Sequence, residues 1–168
     1  MSYSFRPRGF TLIELIIVIA IIAILAGAIF VAIDPARRLH ETRNARRASD
    51  IATILDAVKS YQADHEGTHY APIQSLGTDS WFQIGTDTGA ACNLSCGDAV
   101  TSTVCLDLSE IGDNYMAVVP MDPQEGTVTE TQYALSKGDL GSVTIRACES
   151  EGEGPGGTGE APVIEITR

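Results

Sequence analysis

The chain has 168 residues, enough for one small folded unit on an anchor but not for two sizeable cores. It carries a formal net charge of −11, and from residue 67 onward only Lys137, Arg146 and Arg168 are basic. That balance argues against nucleic acid as a partner, because binding it relies on neutralising phosphates with Lys and Arg.

The first element follows a basic lead-in, Arg6-Pro7-Arg8-Gly9, and stays uncharged from Leu15 to Ile33. A helix needs about 20 apolar residues to cross the hydrocarbon core of a bilayer, so this run is long enough to span one. Glu14 stands at its entrance. A charged side chain at mid-membrane costs on the order of 2.5 to 3.5 kcal/mol on insertion scales, which makes an acid in such a segment a functional candidate. As a secretory signal the segment offers a small-residue site at Ala26-Gly27-Ala28, but the apolar run continues through Ile29-Phe30-Val31. As a plain anchor it leaves Glu14 without a role.

The stretch Arg8-Gly9-Phe10-Thr11-Leu12-Ile13-Glu14-Leu15 resembles the cleavage and methylation motif of type IV pilins and type II secretion pseudopilins. The resemblance implies a cut by a prepilin peptidase between Gly9 and Phe10, and N-methylation of Phe10. It also places Glu14 at the fifth position of the mature chain. The implied partners are that peptidase, other copies or minor pilins in a filament, an inner-membrane assembly platform, and lipid before assembly. The leader then faces the cytoplasm and the head lies outside it, first at the cytoplasmic membrane and later in a periplasmic or cell-surface filament. Cleavage frees an α-amino cation at Phe10, four residues from Glu14 and near a helix N-terminus that favours an anion. A buried carboxylate is tolerated with a cationic partner and costly without one. Glu14 is therefore expected to pair with the Phe10 amine of its own or a neighbouring chain and to set the packing register.

Arg37, Arg38, Arg43, Arg46 and Arg47 follow the span. Counted near the span ends, positive charge favours the cytoplasm, which opposes the orientation that the motif implies. These arginines are expected either to meet acidic faces of adjacent subunits or lipid headgroups, or to form a solvated helix face. Asp34-Pro35 reads as a helix restart, with Asp as cap and Pro in the first turn. Ala48, Ile51, Ile54, Leu55, Val58 and Tyr61 recur at three- and four-residue spacing as one apolar stripe. A nearly continuous helix from 10 to 66, closed by Gly67, would reach roughly 85 Å at 1.5 Å per residue.

His65-Glu66-Gly67-Thr68-His69 fits the H-E-x-x-H zinc signature. That chemistry needs an unbroken helix, which Gly67 and Pro72 oppose. No nucleophile-base pairing or phosphate loop is evident, so neither catalysis nor a catalytic metal is expected.

In the head, Trp81-Phe82-Gln83-Ile84 reads as a short apolar element before a loop, and residues 106–116 as a short helix. Residues 132–136 and 142–148 read as two strands around the turn Lys137-Gly138-Asp139-Leu140-Gly141. Pro120-Met121-Asp122-Pro123 resembles the loop that precedes such strands in major pseudopilins. The resemblance raises calcium in a head loop, although no EF-hand pattern is present and no ligands match residue by residue. Cys92, Cys96, Cys105 and Cys148 are an even set without a C-x-x-C pair, which favours two disulfides over zinc and leaves three connectivities open. Gly152 to Pro162 reads as a mobile tail, and the alternation Val163-Ile164-Glu165-Ile166 as an edge strand.

The expected fold is α+β and pilin-like, a long helix packed on a small antiparallel sheet. Its expected parts are a leader (1–9), a transmembrane assembly helix (10–33), an amphipathic continuation (34–66), a disulfide-containing head (67–151) and a flexible tail (152–168). The expected function is a subunit of a type IV pilus-like or type II secretion pseudopilus filament. The competing reading is a membrane-anchored binding or sensory head that never polymerises.

Overall fold

A computed structural model describes residues 9–86, 92, 95–97 and 99–168. Helix α1 runs over Leu12–Ile33 and α2 over Pro35–Asp64. Asp34 alone interrupts them, with a left-handed backbone at φ 47°. Its side chain accepts from the Arg37 amide while Pro35 opens the new helix, so the Asp-Pro pair ends one helix and starts the next. The nearly continuous helix expected over 10–66 is present with the expected restart at Asp34, and it runs from Leu12 to Asp64. Beyond it Glu66 and Gly67 take positive φ, and the Gly67 amide closes back on the Gln62 carbonyl at 2.8 Å.

Among the described residues none covers α1, whose residues are all exposed. Its 22 residues rise about 33 Å, which matches a hydrocarbon core of about 30 Å.

The head packs on α2. After the turn α3 (Ala71–Gln74) come β1 (Trp81–Gln83), a two-stranded ribbon of β2 (Ser95–Cys96) and β3 (Ala99–Val100), and helix α4 (Ser109–Tyr115). Strands β4 (Tyr133–Lys137), β5 (Val143–Ala147) and β6 (Ile164–Thr167) complete an antiparallel sheet of order β1-β4-β5-β6. Its register pairs Phe82 with Leu135, Leu135 with Ile145, and Ile145 with Ile166. Those side chains share one face, as the two-residue period of a strand requires, and pack with Ile51, Ile54, Leu55 and Val58 of α2 in a single core. The architecture is α+β.

Two expectations need correction. Ala48 is exposed, and the stripe extends instead through Asn44 and Arg47, which are buried. The tail expected to be mobile is folded against the start of α2. A 3-10 turn at Pro155–Gly157 lies over His40, the Gly156 amide donates to Asp34 at 2.7 Å, and the His40 ring bonds the Gly152 carbonyl at 2.8 Å.

Candidate functional site

The two ends of the long helix carry the chemistry. At the first, Gly9 and Phe10 lie exposed just ahead of α1, and the Phe10 ring is 94% exposed. Thr11 caps the helix, and Glu14 answers as the third helical residue. The Thr11 amide and hydroxyl each donate to Glu14 Oε2 at 2.8 Å, and the Glu14 amide donates to the Thr11 hydroxyl at 3.3 Å. This reciprocal box satisfies helix-end donors that otherwise lack partners. The spacing Thr-x-x-Glu signals it, a signal that reading Glu14 only for its charge overlooks.

Beyond the span, two of the five arginines, Arg43 and Arg47, are drawn into the fold. Arg47 is a buried residue of α2, its side chain 1% exposed, and it meets Asp122, whose side chain is 0% exposed, through Nε at 2.5 Å and Nη2 at 3.2 Å. Arg47 also donates to Glu151 at 2.8 Å and to the side-chain oxygen Oδ1 of Asn44 at 3.0 Å. Arg43 grips Glu151 with both Nε and Nη2, while Asn44 donates to the Glu151 carbonyl at 2.7 Å. Burial pushes the Asp122 carboxyl up. The Arg47 hydrogen bond, with the amides of Glu125 and Gln124, outweighs it and leaves the group below the usual range. Arg43, opposed by burial and helped by Arg47, holds Glu151 down at about 2.

This clamp ties α2 to two segments of the head. Asp122 belongs to the Pro120-Met121-Asp122-Pro123 loop and Glu151 follows β5. The loop is tight at Gly126, where a Cβ would lie 2.3 Å from the Asp122 amide nitrogen. Arg37 and Arg38 share Glu41, and Arg46 approaches Asp50 at 3.7 Å. The alternatives of acidic neighbours, lipid or solvent therefore fail for Arg43 and Arg47, which the chain pairs internally.

The four cysteines form Cys92–Cys105 and Cys96–Cys148. The second fastens the residue after β5 to β2 across a separation of 52 residues. In the chain-entropy account, closing a loop of that size stabilises by about 4 kcal/mol. Replacing Cys96 and Cys148 together by Ala should lower the urea midpoint of the full chain in detergent by a corresponding margin. A midpoint within error of wild type would show that the bridge adds nothing to stability.

The H-E-x-x-H match does not lie on an unbroken helix. The helix ends before it, His65 stacks on Tyr61 with ring centroids 3.9 Å apart, and His69 turns toward Gly141. Among the described residues no group of three or more His, Cys, Asp or Glu is placed to hold a metal ion.

An exposed segment ahead of a helix of membrane length that no described residue covers, with an α+β head clamped to that helix's continuation, gives a pilin-like architecture. Residues 5–30 match the family model described as the prokaryotic N-terminal methylation motif, so this segment is similar to those of type IV pilins and pseudopilins. The match includes Gly9, Phe10 and Glu14 and stops inside α1. No curated protein and no solved structure matches the chain.

Proposed function

We propose that the protein is a structural subunit of a type IV pilus-like or type II secretion pseudopilus filament. A prepilin peptidase cuts it between Gly9 and Phe10, Phe10 is N-methylated, and the mature chain polymerises through α1. The observation that carries this reading is α1 itself, 22 residues that are apolar apart from Glu14 and that no described residue of the chain covers, within and directly behind a motif for methylation. Before assembly lipid covers that surface, and in a filament the same surface is covered by other copies. Association then rests on packing and on polar pairs within an apolar environment. Glu14 supplies the polar pair, a carboxylate held at the helix start where the Phe10 amine is generated one residue from Thr11.

The arginines that oppose the required orientation are explained by the clamp. In the folded head, Glu41, Asp50, Asp122 and Glu151 stand against the five of them, so the extracytoplasmic face next to the span is far less cationic than its sequence.

The test is to shear filaments from cells that express the protein and to sequence the N-terminus of the released subunit. Chains that begin at N-methyl-Phe10 in the sheared fraction are expected. Full-length chains confined to the membrane would support the anchored binding head instead.

A further inference from the structure

Beside α4 lies an open groove of about 200 Å³ whose base is Ile84 and Leu108. Both base residues are 1% exposed, whereas Val118 and Val128 at its sides are 67% and 64% exposed. Asp107 and Asp113 stand on its rim. Among the described residues no Lys, Arg or His forms an ion pair with either of them. An occupant that fits this lining has an apolar side chain flanked by cations.

The same chain displays that combination elsewhere. On α2, His40, Arg43, Asn44 and Arg47 face the head and its tail, while Leu39, Thr42 and Arg46 recur at i, i+3 and i+7 on another side. Leu39 is 58% exposed although it lies beyond the membrane span. Arg38 and Arg46 beside it have side chains 70% and 65% exposed. Arg38 shares its one carboxylate with Arg37, and Arg46 reaches Asp50 only at 3.7 Å while Asp50 accepts from the Tyr133 hydroxyl. Exposed pairs of this kind contribute little, so both arginines can change partner at small cost.

We propose that the groove of one head receives the Arg38–Leu39–Arg46 face of α2 from a second copy. Leu39 enters between Val118 and Val128, and the arginines meet Asp107 and Asp113. The two surfaces differ, so the contact is heterologous, and such a contact propagates as an open filament when the rotation between copies does not close a ring. The occupant follows from charge as well as shape. The groove is acidic on an acidic protein, and this stretch of α2 is where the same chain exposes arginines around a leucine. The contact deepens the filament reading and rests on it only for where the copies meet.

The test places Leu39→Cys and Val118→Cys together in the full chain, expressed in cells, with each single variant as control. Both positions are exposed, so the head keeps its core. Membrane and sheared fractions are oxidised and compared. A ladder of cross-linked chains in the double variant, at least tenfold above either single variant, is expected. Filaments that begin at N-methyl-Phe10 but carry no such ladder would overturn the contact and leave the filament reading standing. A cross-linked pair in the membrane without filaments would keep the contact and overturn the filament reading. Loss of both would overturn both. Charge exchange gives a second readout: Arg46→Glu and Asp113→Arg should each reduce sheared protein several-fold, and the combined variant should recover most of it. No recovery in the combined variant, with cross-linking also absent, would reject the pairing of these surfaces.

Discussion

Replacing Arg47 by Ala should unfold the head or bring it close to unfolding. The substitution removes the cation facing Asp122, whose side chain has no exposure to water, and takes one of two arginines from Glu151. Breaking a buried ion pair by deleting one partner typically costs about 3 to 5 kcal/mol, because the remaining charge is stranded. Domains of this kind are stable by only about 5 to 15 kcal/mol, so the loss is a large share of the whole. The informative control is Arg47→Met combined with Asp122→Leu. If the pair is mainly a cost of desolvation offset by attraction, the apolar exchange should retain most of the stability. If single and double variants melt alike, the damage lies in lost packing and not in the stranded carboxylate. Thermal melts of the full chain in detergent decide between these.

The same clamp sets an acid limit. Asp122 and Glu151 both titrate lower in the folded head than the roughly 3.9 and 4.3 of free carboxyls. A group with a depressed folded pKa contributes stability above its unfolded pKa and loses it as pH falls through the folded one. Stability should therefore be flat above about pH 5 and fall toward pH 2, where Glu151 takes up its proton. In Glu151→Gln the fall should be shallower, and an unchanged acid profile in that variant would remove Glu151 from the account.

Which parts of this protein its sequence makes legible follows from the range of each interaction. The span is legible because hydropathy is a local sum, and the hairpin of β4 and β5 because alternation and a Gly-rich turn lie within sixteen residues. The break at Asp34 is legible from Asp-Pro alone. Arg47 is not, since a charge at a stripe position reads as a solvated neighbour of the stripe. Its position four residues before Ile51 fits the apolar spacing, and that fit was the available signal. What makes its burial tolerable is Asp122, 75 residues away, and no local pattern announces such a partner. The tail escaped for a related reason. Its Gly and Glu content predicts mobility, whereas Asp34, His40 and Asn44 supply hydrogen-bonding partners that hold it in place.

At the processing end the largest expected effect is on assembly, and it separates two roles that one residue combines. Glu14 closes a capping box with Thr11 and is also the carboxylate that we assign to the Phe10 amine. Glutamine serves in a capping box as well as glutamate, so Glu14→Gln keeps the cap and loses the charge. Thr11→Val does the reverse, removing a cap worth about 1 kcal/mol while leaving the carboxylate. If charge pairing sets the register, Glu14→Gln should still be cut at Gly9 and yet yield at least tenfold less sheared filament, whereas Thr11→Val should assemble nearly as wild type. If Glu14 acts only through the helix end, the order reverses, with Thr11→Val the damaged variant and Glu14→Gln the sound one. N-terminal sequencing of the membrane fraction keeps the comparison clean, because a variant that still begins before Phe10 has failed at cleavage and not at packing. The cap makes the pairing reading stronger. It holds the carboxylate on the first turn of the helix, so an amine freed by the proposed cleavage would meet an acceptor already in position.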